Sequence, residues 1–427
     1  MMSRMTLQLP DIYDPKRHEA LANDTWSADA ARDAIGRICA AADAEFDEAE
    51  GSWLLHPQDD PPAPGARSVN AYFGATGVVW ALRDLAAQGA VTLARDYTRW
   101  IEGFPERARR EAADEQHGTA SYLFGESAPL LLAWQATHRA DFADRLHELV
   151  RGNLHNPAHE PLWGNAGTLL AAIPMAEADG PVAERARWQA LVRDGVQALL
   201  DDMARDPDEG HWLWRQDLYG RVRHFLGAGH GLAGNAFPAL RAAGLVDASV
   251  ADTLLQRCFD TLSATALHAV ATGPDGRSLP VANWHPITEK ERIAAATAAG
   301  ERALVQDCHG APGIVCRLAT APAAWDALLR AAGEMTWIAG PLAKGPSLCH
   351  GTAGNAMACL KLWQRFGEPL WLERARRLAM HAAGQVEQAR ARHGQGRHSL
   401  WTGDLGVACV LWNCIQGEAW FPMLDRR

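Results

Sequence analysis

The sequence predicts an all-α fold in which about seven inner helices are wrapped by about seven outer ones. Three observations carry that expectation. A glycine-centred turn recurs seven times along the chain. The segments between turns have helical apolar periodicity. The segments directly after each turn are apolar on nearly every side, as buried helices are.

The turns run in order. The first is Tyr72-Phe73-Gly74-Ala75-Thr76-Gly77, and the second, Leu123-Phe124-Gly125-Glu126-Ser127-Ala128, has alanine in place of its second glycine. Leu162-Trp163-Gly164-Asn165-Ala166-Gly167 and His230-Gly231-Leu232-Ala233-Gly234 follow. Gly310 to Gly313, Gly351 to Gly354 and Leu400 to Gly406 complete the set. Successive first glycines stand 51, 39, 67, 79, 41 and 52 residues apart. A period of about 40 to 50 residues suits two helices and their connections. Arg187 to Leu200 has apolar residues at three- and four-residue steps, so it reads as an amphipathic outer helix. Leu130 to Trp134 is apolar throughout and reads as an inner one. Glycine lets the chain turn tightly and pack closely. In a closed ring all these turns face one end, and the polar residues they carry meet there.

His56–Ala66, Asp206–Gly210, Thr272–Gly300 and Arg390–His398 read as loops. No low-complexity linker divides the chain. Residues 1–427 are therefore expected to form one domain, with the repeat region at about 71–411.

Composition narrows the function. Apolar residues make up 48% of 427, enough for a large core. The net charge of −10, from 41 Lys+Arg against 51 Asp+Glu, excludes general nucleic-acid binding. No stretch approaches the roughly 18 continuous apolar residues of a membrane span. The first residues lack the apolar core of a signal peptide, and a cytoplasmic protein is expected. Eight cysteines are too sparse for a disulfide scaffold. Cys39, Cys258, Cys316, Cys359, Cys409 and Cys414 sit among apolar residues and are expected to be buried free thiols. Most of the 17 tryptophans belong to the core, with Trp284 a candidate for a cavity wall.

The other two cysteines differ. Cys308-His309-Gly310 and Cys349-His350-Gly351 repeat one tripeptide 41 residues apart, and each opens a Gly-x-x-Gly segment. Thiolate and imidazole are the preferred ligands of zinc. Two cysteines and one of these histidines make three ligands and leave one position open, the pattern of a catalytic site. The residues point to a metal that acts on a substrate such as a thiol.

With these motifs the chain resembles the lanthionine synthetase C family. Cys-His-Gly-Ala-Pro-Gly at 308–313 and Leu-Cys-His-Gly-Thr-Ala-Gly-Asn-Ala at 348–356 carry the likeness. Gly229 to Gly234, Leu123 to Leu130 and Asn283-Trp284-His285-Pro286 fit it too. The match is closest to the glutathione-adding, LanC-like branch found in eukaryotes. The resemblance implies a double α-barrel, an α/α toroid, with one zinc ion per chain held by Cys308, Cys349 and His350. It implies that His230 is the active-site histidine and that Glu160 occupies the position of the cyclases' aspartate. His309 is a further catalytic candidate beside the metal, where the cyclases tend to have tyrosine. Lys344 matches a lysine that holds glutathione carboxylates in that branch. Arg392 and Arg397 lie in the loop where the branch has an anion-binding arginine, and Arg4 is an N-terminal candidate for the same anion. Two further positions depart from the pattern, with Asp307 in place of a tryptophan and Leu304 in place of the cyclases' arginine.

The implied chemistry is Michael addition of a thiol, from glutathione or a peptide cysteine, to dehydroalanine or dehydrobutyrine. His230 would return a proton to the α-carbon, with Glu160 orienting it. Two alternatives are a lanthipeptide cyclase served by a separate dehydratase and a non-catalytic glutathione- or peptide-binding regulator. A sugar-processing α/α barrel would suit the tryptophans, but the paired Cys-His-Gly motifs oppose it.

Overall fold

The computed structural model describes residues 7–23, 25–273 and 276–425. Arg4 lies outside them. In chain order the helices begin with α1 Ala28–Ala44, α2 Ala75–Ala87, α3 Thr98–Ile101, α4 Phe104–Glu111, α5 Ser127–Thr137 and α6 Ala140–Gly152. Next come α7 Asn165–Glu177, α8 Val182–Asp201, α9 Leu232–Arg241, α10 Ala248–Thr265 and α11 Lys290–Ala298. The last are α12 Ala311–Leu318, α13 Asp326–Ala339, α14 Thr352–Phe366, α15 Pro369–His393 and α16 Asp404–Gln416. The protein is mostly helical, and no described helix is long and apolar enough to cross a membrane.

The seven helices that follow glycine turns pack in a cycle. Helix α2 touches α5, then α7, α9, α12, α14 and α16 follow in turn, and α16 returns to α2. All but α2 are flanked by a more polar helix, as α7 is by α8, α14 by α15, and α16 by α1. Burial follows the sequence pattern. Every residue of α7 from Asn165 to Ala176 is buried, whereas α8 buries one stripe that includes Trp188, Leu191, Val192 and Val196.

The chain is mostly helical, as expected, and among the described residues three antiparallel two-stranded ribbons join the helices. They pair β1 Ala204–Arg205 with β2 Trp212–Leu213, β3 Gln216–Leu218 with β4 Arg221–Arg223, and β5 Leu267–Thr272 with β6 Ser278–Asn283. The supposed loop at 272–300 thus contains β6 and α11, and that at 390–398 begins inside α15. Short strands and an exposed helix in insertions have too little apolar periodicity to announce themselves.

The glycine turns have a common physical cause. Most of these helices start on a glycine that offers no side-chain cap. Carbonyls of the preceding loop take the orphan N–H groups instead. Thr352 and Ala353 donate to Gly345 and Pro346 at 3.0 and 2.9 Å, as Leu232 and Ala233 donate to Phe225 and Leu226. The loop therefore crosses directly over the first turn of the helix. A Cβ on Gly167, Gly313 or Gly354 would overlap the carbonyl oxygen six residues earlier, on Pro161, Asp307 or Leu348.

The turns are also joined to one another. The residue two before the first glycine donates its N–H to the carbonyl of the equivalent residue in the next turn. Gly229 donates to Cys308 at 2.9 Å, Cys308 to Cys349 at 3.3 Å, and Cys349 to Trp401 at 3.0 Å. Trp401 donates to Tyr72 at 3.1 Å, and Tyr72 to Leu123 at 3.1 Å.

Two glycine substitutions separate these effects. Gly167→Ala should destabilise the fold by at least about 1–3 kcal/mol, because the overlap is with backbone. Gly36→Ala, inside α1 with nothing within 4 Å of its new Cβ, should stabilise it by about 0.5–1 kcal/mol. Chemical denaturation of both variants checks the contrast.

Candidate metal centre and active site

Cys308 and Cys349 occupy equivalent positions in neighbouring turns, so their side chains meet at one end of the ring. The ligand atoms of Cys308, Cys349 and His350 lie within 4.8 Å of one another. His350 Nε2 is 3.6 Å from Cys349 Sγ. Gln306 Nε2 donates to Cys308 Sγ at 3.0 Å. A hydrogen bond with Cys308, burial and the nearby Cys308 charge together push the Cys349 thiol well above its ordinary range. Two crowded buried thiols beside an imidazole fit a soft cation, which would relieve their mutual repulsion. The other six cysteines are buried free thiols, as expected.

His230 comes from the turn before α9 and lies across the cavity. Its Nδ1 is 3.0 Å from Glu160 Oε2, and the Glu160 side chain is fully buried. Leu162 N–H donates to Oε2 at 3.0 Å, and Trp163 N–H donates to Oε1. Glu160 is thereby fixed by its own turn and fixes His230 in orientation and tautomer. His309 stacks obliquely on His230, with centroids 5.7 Å apart. Burial, with the charges of His230 and His350 adding to it, lowers the His309 pKa to about 3. At neutral pH His309 is an uncharged ring with no imidazolium proton to give.

The cavity holding these groups has a volume of about 380 Å³. It adjoins an outer cavity of about 550 Å³, and Tyr72, Lys344 and His350 line both. Lys344 is exposed at the junction, and Arg392 and Arg397 line the outer cavity. Among the described residues Lys344 and Arg392 have no ion-pair partner. Arg397 differs. Its Nε is 3.1 Å from Oδ1 of the buried Asp59, so its charge is already matched.

Several site residues were not anticipated. Tyr72 and Trp401 line the cavity at positions equivalent to the two cysteines, and aligning the turns on their first glycines would have found them. Arg17 lines it because the N-terminal segment crosses the mouth, where Ala343 N–H donates to Arg17 O at 3.0 Å. No sequence signal marks that contact. Trp284 is instead core, 1% exposed, with Nε1 donating to Leu262 O at 2.9 Å.

Asp307 also finds its explanation. Arg317 Nη2 donates to Asp307 Oδ2 at 2.8 Å, and both side chains are buried. The guanidinium lies over Phe421 at 4.3 Å. Both residues line the cavity, so one buried ion pair stands beside the Cys308 turn. Burial nonetheless raises the Asp307 carboxyl above its ordinary range. Removing one partner strands a buried charge. Asp307→Ala should therefore cost about 3–5 kcal/mol, which urea denaturation measures. Asp307→Ala/Arg317→Met should recover most of that loss.

Comparisons with known proteins bear on the family and the fold. The family model described as lanthionine synthetase C-like protein matches residues 58–424. A glutathione S-transferase named LANCL1 from Danio rerio is 27% identical over 333 residues, covering 71% of this chain and 74% of the relative. LanC-like protein GCL1 from Arabidopsis thaliana is 34% identical over 122 residues, 26% of this chain and 28% of that protein. The solved structure of nisin cyclase superposes with a TM-score of 0.58 at 14% identity, covering 84% of this chain and 92% of that one.

Proposed function

The chain belongs to the lanthionine synthetase C-like family, and on that premise we propose that it forms thioethers, adding glutathione to dehydroalanine or dehydrobutyrine residues. The fold is read as one domain, an α/α toroid of seven inner and seven outer helices. The ligands of one zinc ion are Cys308, Cys349 and His350. The single observation that carries the choice of glutathione is the pair of unmatched cations, Lys344 and Arg392, at the mouth beside His350.

When bound, zinc supplies Lewis acidity that lets an incoming thiol lose its proton at neutral pH. The protein's own residues do the rest. Lys344 and Arg392 hold the carboxylates of glutathione at the mouth by charge-assisted hydrogen bonds. Buried walls exclude water from the inner cavity. The thiolate sulfur bonds to the β-carbon of the acceptor, and the alkene electron pair moves to the α-carbon and its carbonyl as an enolate. His230, its Nδ1 committed to Glu160, delivers a proton to the α-carbon from Nε2. The proton lost by the thiol balances the proton gained by carbon, so no oxidant or leaving group is needed. Arg397 contributes by holding Asp59 and the loop before α16.

The test is a dehydroalanine peptide incubated with glutathione and zinc-loaded protein, with the mass gain read by mass spectrometry. Addition should stop on chelation and return with zinc. His230→Asn should keep zinc and lower kcat by about 10²-fold or more. Lys344→Ala should weaken glutathione roughly ten-fold, the lower end for a charge-assisted hydrogen bond, and leave a peptide thiol unaffected. Thioethers formed only from a peptide cysteine would move the reading to a cyclase. No thioether from either thiol would leave the non-catalytic binding protein.

A further inference from the structure

Part of the inner cavity's wall is made of aromatic rings. Tyr72 lies parallel to Trp401, with centroids 6.0 Å apart, and tilts against Phe124 at 4.8 Å. Phe124 stacks on Trp163 at 5.3 Å. Trp163 is buried, and its Nε1 donates to Tyr219 Oη at 3.5 Å. Tyr219 meets the His230 ring edge-on at 6.0 Å. The rings thus form a continuous arc from Trp401 to His230. Of these, Trp401, Tyr72, Phe124, Tyr219 and His230 line the cavity, and Trp163 supports them from behind.

Tyr219 is the unusual member. It sits at the tip of the β3–β4 hairpin with φ of +52°, in the left-handed region that bulky side chains avoid. It is also 65% exposed, although its ring lines the cavity. The hairpin is held rigidly in place. Gln216 is fully buried and accepts from Phe225 N–H at 2.9 Å, and Asp217 N–H donates to Pro157 O at 3.1 Å. Gly220 follows at φ +69°, so the two residues form a two-residue hairpin turn that needs positive φ at both positions, and that turn presents the Tyr219 ring beside His230.

We propose that this arc is the acceptor subsite. Its ligand is an extended peptide segment in which the dehydro residue stands next to an apolar or aromatic residue. The proposal rests on the thioether-forming reading above and adds what the second substrate looks like. A dehydroalanine residue and its flanking amide are planar and conjugated, so they present flat faces to the Tyr72 and Phe124 rings. Tyr219, on the open side, covers the neighbouring side chain of the peptide. The carboxylate-bearing thiol is drawn to Lys344 and Arg392 of the outer cavity, whereas Phe124 and Tyr219 line the inner cavity alone.

The test uses two hexapeptides with one dehydroalanine, flanked by phenylalanine in one and by serine in the other. The phenylalanine peptide should have the lower KM, by about ten-fold. Tyr219→Asn removes the ring while keeping a residue that tolerates positive φ. It should raise that KM by about three- to ten-fold, the loss of one aromatic contact. The KM values for glutathione and for the serine peptide should not move. Tyr219→Phe, which keeps the ring, should restore the preference. Equal KM values for the two flanks, or an equal effect of Tyr219→Asn on both, would overturn the proposal and leave the thioether reading intact. Calorimetric binding of the same peptides with alanine in place of dehydroalanine separates the two claims. Binding that depends on flank and on Tyr219, without any thioether formed, would uphold the subsite and remove the chemistry. Binding that is equal or absent for both peptides would overturn the subsite on its own.

Discussion

The chain of backbone hydrogen bonds that joins one turn to the next is the constraint on which the site depends. It links Gly229, Cys308, Cys349, Trp401, Tyr72 and Leu123, all two residues before a first glycine or its equivalent. Each bond contributes only about 0.5–1.5 kcal/mol net, but together they set the register of the ring's upper end. Cys308 and Cys349 are far apart in sequence, yet this register makes them neighbours. The glycines serve the same end. They let each loop lie on its helix closely enough for the loop carbonyls to cap the helix, so each turn is rigid before it meets the next. A metal centre assembled from two such turns is preorganised by the backbone rather than by side-chain packing alone.

Charge and apolar surface are then divided around that centre. The cations face outward at the mouth, where water limits their cost. Deep in the cavity Asp307 is paired with Arg317, while Asp307 Oδ1 and Arg317 Nη1 are buried without a hydrogen-bond partner. A tryptophan in the family's pattern is thus replaced here by a carboxylate whose partner comes from the following inner helix. His309 is neutral through burial, and His230 is held by a buried carboxylate. One histidine of the cavity is thus held by a carboxylate, and the second, neutral one lies against it.

Legibility in the sequence followed periodicity. The inner helices were readable because seven turns share one pattern and the residues after them are apolar on most sides. The cluster of Cys308, Cys349 and His350 was readable because two copies of one tripeptide fall on that pattern, whereas Glu160 and His230, which meet in the structure, were named through the family resemblance. Arg317, Arg17 and Tyr219 were not readable. Arg317 acts through a partner ten residues away across a turn, Arg17 through a crossing N-terminal segment, and Tyr219 through a hairpin inserted between two repeats. Such contacts depend on tertiary placement, which leaves no period in the chain. Trp284 shows the reverse error, since a motif residue expected at the cavity wall is core in space.

We propose that the two Cys-His-Gly turns build an open metal site that receives a thiol. X-ray absorption at the zinc edge tests it most directly, on zinc-loaded protein with and without glutathione. The account predicts two sulfur neighbours and one imidazole in the protein alone, and a third sulfur once glutathione is added. An unchanged spectrum on adding glutathione, or zinc that remains fully bound after Cys308→Ala/Cys349→Ala, would contradict it.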